Sequence, residues 1–388
     1  MGNSKMQNVV RSGLLLAAVS GVLTLSANGA KAAVEYTITN LGIGSGQEFG
    51  NTTASSINNN GEVVINSSAN PVLYSGGVYT PISPAGSTLS QVNDSGLAVG
   101  YTGSSQAGYT TASSPTLNTS LETLPGGGAT LALGVSPNGS YGSATIVGTA
   151  VNNVGRNQAV TWTGVSGTIT ALTPSNGSAW DITSENAYSQ ANAINSGVIV
   201  GQATTNTDSP DAFITNGTAF KDIAPAGSVE SVAEAVNASG FAVGNSTPDN
   251  VNQFAFVYSP DSGITTLLPT LGGTIYDSDA SSINSSGLIV GQSDAADDSG
   301  IHAVLYTTSG GIIDLNDQIA SGSGWVLQDA TSINDNGYIV GYGTYDDGVN
   351  GPQQDAFLLT PTPVPEPTSA VLLVGTGLFL LGRRRRVN

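Results

Sequence analysis

Seven times the chain repeats one short phrase: a small or apolar pair of residues, Asn or an equivalent, a Gly two or three positions on, then an apolar run. The copies are SINNNGEVV (56–64), QVNDSGLAVG (91–100), GVSPNGSYGSATIVG (134–148), AINSGVIVG (193–201), AVNASGFAVG (235–244), SINSSGLIVG (282–291) and SINDNGYIVG (332–341). Their Asn or equivalent positions lie about 35, 43, 59, 42, 47 and 50 residues apart. A period of this size means that one small unit buries its apolar face on its neighbours. A residue repeated in this way is accounted for by architecture before chemistry, so the phrase is not a catalytic signature.

Within each unit the phrase encodes a turn between two strands. Asn can hydrogen-bond its own following backbone, and Gly accepts the positive φ that closes a tight turn. The turn pairs are Asn58 and Gly61, Asn93 and Gly96, Asn195 and Gly197, Asn237 and Gly240, Asn284 and Gly287, and Asn334 and Gly337. A third strand follows at NPVLYS (70–75), AGYTTAS (107–113), QAVTWT (158–163), DAFITN (211–216), FAFVYS (254–259), HAVLYT (302–307) and DAFLLT (355–360). A fourth is expected at 77–83, 121–127, 167–173, 219–225, 263–273 and 310–317.

The seventh unit has no fourth strand, because Pro361 opens a Pro-rich spacer directly after it. The spare strand is at the other end, in VEYTITNLG (34–42). Seven four-stranded units offset by one strand are what a circular fold closed by its N-terminal strand requires. The expectation is an all-β, seven-bladed β-propeller over residues 33–360, with a β-solenoid as the competing architecture; an open solenoid would want polar caps at both ends.

Charge separates the body from its ends. Of nine basic residues, Lys5, Arg11, Lys31 and Arg383 to Arg386 are terminal, leaving Arg156 and Lys221 against all 27 Asp and Glu. Nucleic acid is therefore not an expected partner, since binding it needs clustered cations. The absence of cysteine removes disulfides, thiol catalysis and Cys-based metal sites.

The first 32 residues read as a secretory signal peptide, with Lys5 and Arg11 before the apolar SGLLLAAVSGVLTLS (12–26) and a small-x-small cleavage site at Ala30 and Ala32. The other end joins a Pro-rich linker (361–369) to a segment (370–388) holding a short apolar stretch and four arginines. Those arginines favour a cytoplasmic end. The 13 residues from Ala370 to Gly382 would make a helix of only about 20 Å against a hydrocarbon core of about 30 Å, so anchoring in the inner membrane would be transient.

Val364, Pro365, Glu366 and Pro367, the apolar stretch and Arg383, Arg384, Arg385 and Arg386 together resemble the PEP-CTERM sorting signal of Gram-negative bacteria. That resemblance implies handling by the secretion machinery and by an exosortase, with delivery to the cell surface or an exopolysaccharide (biofilm) matrix. The repeats resemble HAF-type extracellular repeats, named for His-Ala-Phe: HAV at 302–304 and DAF at 211–213 and 355–357 occupy that place. This second resemblance spans most of residues 34–361 and implies a fold and a location rather than an activity.

Few residues stand outside the repeat. His302, the sole histidine, occupies a slot that holds Asn70, Gln158, Asp211, Phe254 or Asp355 elsewhere, which marks a strand-start residue rather than a general base. No pair among the acids is singled out for glycoside chemistry. Asp277, Asp279, Asp294, Asp297, Asp298, Asp346 and Asp347 form acidic clusters that calcium, a hard cation seeking six to eight oxygens, would suit, although none matches a known calcium-loop pattern. Calcium is the one cofactor the sequence suggests. Trp162 aligns with Tyr74, Tyr258 and Tyr306 and reads as packing, whereas Trp180 and Trp325 lie off the shared skeleton and are the candidates for stacking on a sugar. The expected function is a non-enzymatic binding or structural module, with an extracellular polysaccharide hydrolase or lyase and a calcium-dependent adhesin as alternatives.

Overall fold

The computed structural model describes residues 36–44, 47–48, 51–164, 168–174, 180, 184–206, 209–249, 251–272, 277–297, 299–307 and 310–362. Each phrase of the repeat becomes the hairpin between the first two strands of a four-stranded antiparallel sheet. Blade 6 is representative: Ser278–Ile283, Ile289–Asp294, Ile301–Tyr306 and Ile312–Asp314 pair in chain order. The first strands of blades 1 to 7 are Thr52–Ile57, Thr88–Val92, Thr130–Val135, Ser189–Asn195, Glu230–Val236, Ser278–Ile283 and Trp325–Ile333. These inner strands neighbour one another in sequence, and the seventh lies against the first, so the sheets form the ring of a seven-bladed β-propeller.

The seventh sheet takes its outer strand from the start of the chain. Tyr36–Asn40 runs antiparallel to Gln353–Pro361, with Tyr36 opposite Pro361 and Asn40 opposite Phe357. Asn40 Nδ2 donates to Asp355 Oδ2 at 2.8 Å, and Leu41 N donates to the Ala356 carbonyl at 2.8 Å.

The core is divided among the seams. Seven apolar clusters form, each drawing on two neighbouring blades, such as Val64 and Leu73 with Leu89 and Ala98 between blades 1 and 2. The seam between blades 7 and 1 is filled by Val340 and Ala356 against Ala54, Ile57 and Val63. Side chains as large as Trp162, Phe213, Phe256 and Phe357 are fully buried in these layers, each contributing roughly 1.5–3 kcal/mol or more.

One strand differs from expectation. The fourth strand of blade 2 is Ser114–Asn118, not 121–127. The chain turns back immediately after Thr111, which pairs with Ser114, and the later segment sends Leu121 and Leu124 into the seam with blade 3. Among the described residues no helix is long and apolar enough to cross a membrane.

Candidate functional site

The inner strands and their turns surround the central channel, and the repeated Asn does more there than turn the chain. Asn284 Oδ1 accepts from Ser286 N (3.1 Å) and Leu288 N (3.0 Å), closing its own hairpin. Its Nδ2 meanwhile donates to the carbonyl of Asn334 in the next blade at 3.1 Å. Asn334 reaches the Asn58 carbonyl in the same way (3.0 Å), Asn58 reaches that of Asn93 (2.8 Å), and Asn93 those of Ser136 (3.0 Å) and Gly139 (2.7 Å). Asn237 begins the series by donating to the Asn284 carbonyl at 3.1 Å. All five are 3–4% exposed, which is tolerable for an amide only when both ends are paired.

The belt stops at blades 3 and 4. Ser136 replaces Asn in blade 3. In blade 4, Asn195 precedes a turn one residue shorter, with Ser196 and Gly197 both at positive φ (51° and 80°). Asn195 is half-buried, and its Oδ1 accepts from Ser196 Oγ at 3.2 Å. All seven blades contribute to the channel mouth, a cavity of about 280 Å³. There Asn59 N donates to Asp94 Oδ1 (2.8 Å), and Asp335 N to Asn59 Oδ1 (2.9 Å).

Deeper in, each inner strand carries a β-bulge that leaves one residue unpaired on its partner strand. In four blades that residue is a donor reaching a carbonyl of the next blade: Ser55 to Leu89 (3.1 Å), Ser90 to Ala132 (2.9 Å), Asn192 to Ala233 (3.0 Å) and Thr331 to Ala54 (2.6 Å). Blade 5 places Glu234 at this position. Two residues earlier in the next two blades stand Asp279 and Asp329. Burial, reinforced by the charge of Asp279, pushes both Glu234 and Asp329 up to about 7. Burial also raises Asp279, although Asn245 Nδ2 donates to it at 3.1 Å. Asp329 Oδ1 is buried with no hydrogen-bond partner. Glu234 accepts from Asn192 Nδ2 at 3.3 Å, at the end of a relay in which Tyr188 donates to Gln190 (2.6 Å) and Gln190 to Asn192 (2.7 Å). Here the channel encloses a cavity of about 290 Å³, lined by hydroxyl and amide groups and by the carboxyl of Glu234.

The acids expected to suit calcium are spread over the fold. Asp279 belongs to an inner strand rather than to a loop. Asp277 Oδ1 accepts from Gln253 N (2.8 Å), while Asp294 Oδ2 accepts from Asp277 N (3.1 Å). Asp297, Asp346 and Asp347 accept from the backbone two or three residues on, as in ordinary Asx turns. Among the described residues no group of three or more His, Asp or Glu is placed to hold a metal ion. Asp298 lies outside the described residues, as do the expected signal peptide with Ala30 and Ala32 and the whole sorting segment from Val364 to Arg386.

The aromatic candidates are packed inward. Trp180 is 6% exposed and meets Phe213 and Phe220 edge-on at 6.3 and 5.9 Å, so its ring is core and not an open platform for sugar. Trp325, half-buried, stacks on Tyr345 at 5.0 Å and meets Phe357 edge-on at 6.0 Å. Trp162 is fully buried, with Nε1 donating to the Glu122 carbonyl at 2.8 Å.

His302 has partners that the sequence did not reveal. Nδ1 lies 2.6 Å from Asp314 Oδ2, and Nε2 lies 3.3 Å from Ser299 Oγ. The order of groups is that of a nucleophilic triad, but the repeat supplies a plainer origin. Asp314 sits opposite Val304 as Asn40 sits opposite Phe357, and Asn40 bonds Asp355, which holds the His302 slot of blade 7. The His302–Asp314 contact is therefore one instance of a diagonal polar pair between third and fourth strands. Blade 4 has two acids in these slots, and burial together with the neighbouring Asp222 pushes Asp211 up to about 6.

The segment beyond the propeller carries a destination. Residues 363–386 match the PEP-CTERM protein-sorting motif, which implies recognition by an exosortase and export to a surface or extracellular location. No curated protein matches the chain. Solved structures with a similar fold include an oligogalacturonate lyase in complex with manganese (9% identity, 85% of this chain and 97% of that one, TM-score 0.49). The extracellular domain of a putative hybrid two-component system from B. thetaiotaomicron is another (12% identity, 83% of this chain, TM-score 0.48), of which this chain spans 39%. A putative TolB from Agrobacterium tumefaciens is a third (13% identity, 60% of this chain and 88% of that one, TM-score 0.42).

Proposed function

We propose that the propeller is a non-enzymatic binding or structural module of the cell surface or the exopolysaccharide matrix, built from HAF-type repeats and delivered through its C-terminal signal. The observation that carries this reading is the sorting motif at 363–386, which follows directly on the strand Gln353–Pro361 that completes the ring. Its apolar stretch, residues 370–382, would hold the chain briefly in the inner membrane, with Arg383 to Arg386 on the cytoplasmic side. The use of the recurring polar side chains in ties between blades supports a scaffold over an active site.

The test incubates protein purified from the medium with matrix polysaccharide. Retention without shortening of the polymer is the expected result. Release of oligosaccharides would replace this reading with that of a hydrolase or lyase, and retention that appears only with millimolar calcium and is reversed by chelator would make the protein a calcium-dependent adhesin.

A further inference from the structure

The bulge residues of the inner strands, one per blade, ring the channel cavity of about 290 Å³. In blades 1, 2, 4 and 7 they are Ser55, Ser90, Asn192 and Thr331, and each gives a donor to the carbonyl just before the bulge of the next blade. Leu133 of blade 3 has no donor to give. Blades 5 and 6, side by side, also depart from the pattern. Ionised Glu234 can only accept, and among the described residues Ser281 makes no such tie, so no side chain reaches the carbonyls of Ala280 and Ala330 in the equivalent places. The donor to Glu234 is Asn192 Nδ2 at 3.3 Å, long for an N–H···O bond. Asp279 stands near enough for its charge to act on both Glu234 and Asp329, and Asp329 Oδ1 is buried without a partner. This side of the channel therefore holds acceptors in excess of donors. Among the described residues neither Arg156 nor Lys221 lines it.

We propose that this cavity binds a primary ammonium group, that of an amino sugar or of an alkyl polyamine, with Glu234 as its counter-charge. An ammonium is a compact cation with three donors and no acceptor, the complement of what blades 5 and 6 present. One N–H is directed to Glu234, and the others to the Ser281 hydroxyl and to the carbonyls left without a tie. A buried carboxylate is tolerated only when it is paired, so the bound cation supplies what the chain omits. A metal ion suits the site less well, because among the described residues no three acids converge and a hard divalent cation seeks six or more oxygens. Hydroxyls and amides around the rest of the ring suit a polar ligand body, and the volume admits one sugar ring, at the small end of the roughly 300–1,000 Å³ of ligand sites. Ser56, Gln91, Ala193, Ala235, Ser282 and Ser332 are walls of both this cavity and the channel mouth, which gives the route of entry. The site goes beyond the matrix role and does not require it, since a small amine can occupy the channel whether or not the propeller holds polysaccharide.

The experiment titrates the exported protein at pH 7 with glucosamine, putrescine, N-acetylglucosamine, glucose and calcium chloride, following binding by calorimetry and locating it by NMR shifts of residues 190–192, 233–235 and 280–282. At least one of the two amines is expected to bind at least tenfold more tightly than N-acetylglucosamine and glucose, which lack the charge. Glucosamine ahead of putrescine assigns the site to an amino sugar, and the reverse order assigns it to a polyamine. Glu234→Gln is expected to weaken the preferred amine at least tenfold without lowering the melting temperature, and Glu234→Asp, which keeps the charge on a shorter arm, should fall between. Ser281→Ala should weaken it a few-fold. Failure of both amines to bind, equal binding of glucose, or wild-type affinity in Glu234→Gln would overturn the proposal. Calcium that shifts the same residues and displaces the amine at equal concentration would make the cavity a metal site instead. Retention on matrix polysaccharide, measured in parallel, reads the matrix role separately: retention without amine binding sinks this inference alone, and amine binding without retention sinks that role alone.

Discussion

Asn334 donates from Nδ2 to the carbonyl oxygen of Asn58 at 3.0 Å, joining the last blade to the first across 276 residues of chain. The same side chain accepts at Oδ1 from Asn336 N and Tyr338 N, at 3.0 and 2.9 Å. One buried amide thus closes a hairpin and a ring together.

Truncating it removes three hydrogen bonds: one of the two donors to the Asn58 carbonyl, which Gly61 N also reaches at 3.1 Å, and the acceptor of the Asn336 and Tyr338 N–H groups. Asn334→Ala should cost about 2–4 kcal/mol in urea unfolding, since each of the three lost hydrogen bonds contributes roughly 0.5–1.5 kcal/mol net. Asn195→Ala, at the blade outside the belt, should stay within about 0.5 kcal/mol of wild type. Equal losses at the two sites would mean that the tie between blades adds nothing to the turn.

This double use shows which parts of the structure were legible. The period, the strand order and the offset closing strand follow from spacing and turn chemistry, because those are local properties of the chain. The clasp was hidden, because an Asn in a turn looks the same whether or not its Nδ2 has a neighbour 50 residues away. Its trace is that Asn recurs where Asp or Ser would also make the turn. Glu234 and Asp329 were missed for a related reason. An acid in an apolar strand looks exposed until a ring of inner strands puts that edge of the sheet around a channel. Trp180 was misplaced because an insertion in a repeat need not lie on the surface.

The Gly that ends the apolar run has its own physical requirement. A Cβ at Gly291 would collide with the Asp279 carbonyl oxygen at the bulge of the inner strand, and the same holds for Gly341 with Asp329. Gly291→Ala should therefore cost about 1–3 kcal/mol in chemical unfolding through forced backbone movement. Blade 1 holds Ile65 at this position, so Ile65→Gly should destabilise by loss of packing instead. A neutral Gly291→Ala would show that the bulge relaxes freely.

The carboxyls of Glu234 and Asp329, both pushed up to about 7 by burial, make stability depend on pH in a definite sense. The folded state keeps protons that the unfolded chain releases above about pH 4.5. Their contribution is complete below that pH and is lost as pH rises through 7. Asp211, raised to about 6, acts in the same direction. The melting temperature should be higher at pH 5 than at pH 8, by on the order of 5 °C. Glu234→Gln combined with Asp329→Asn should raise the value at pH 8 and flatten the profile. A profile unchanged by these substitutions would place the titration elsewhere.

If His302 and Asp314 form a diagonal strand pair, an amide should replace the imidazole at little cost, as Asn40 partners Asp355 in blade 7. His302→Asn should alter stability by no more than about 0.5–1 kcal/mol and leave polysaccharide handling unchanged. His302→Asp, which recreates the two-acid arrangement of Asp211 and Asp222, should be the more destabilising at neutral pH. Loss of a measurable hydrolytic activity in His302→Asn or Ser299→Ala would instead identify a nucleophilic site.

Closure of the seventh sheet makes the two ends of the chain unequal. Residues 36–40 form its outer strand, and Asn40 and Leu41 tie it to Asp355 and Ala356, whereas the sorting motif begins only after Pro361 has paired with Tyr36. Removal of residues 363–388 should leave the cooperative melting of the propeller within about 1–2 °C of the longer form, a shift below the few degrees that 1 kcal/mol produces. Removal of residues 33–41 exposes the edge of Gln353–Pro361 and part of the apolar layer around Ile38 and Leu41. That form should melt lower by well over 10 °C, or associate through its open edge strand. Scanning calorimetry of both truncations, with light scattering for association, separates the two outcomes. A propeller indifferent to loss of residues 33–41 would mean that the ring is held by the clasps and seams of its inner strands alone.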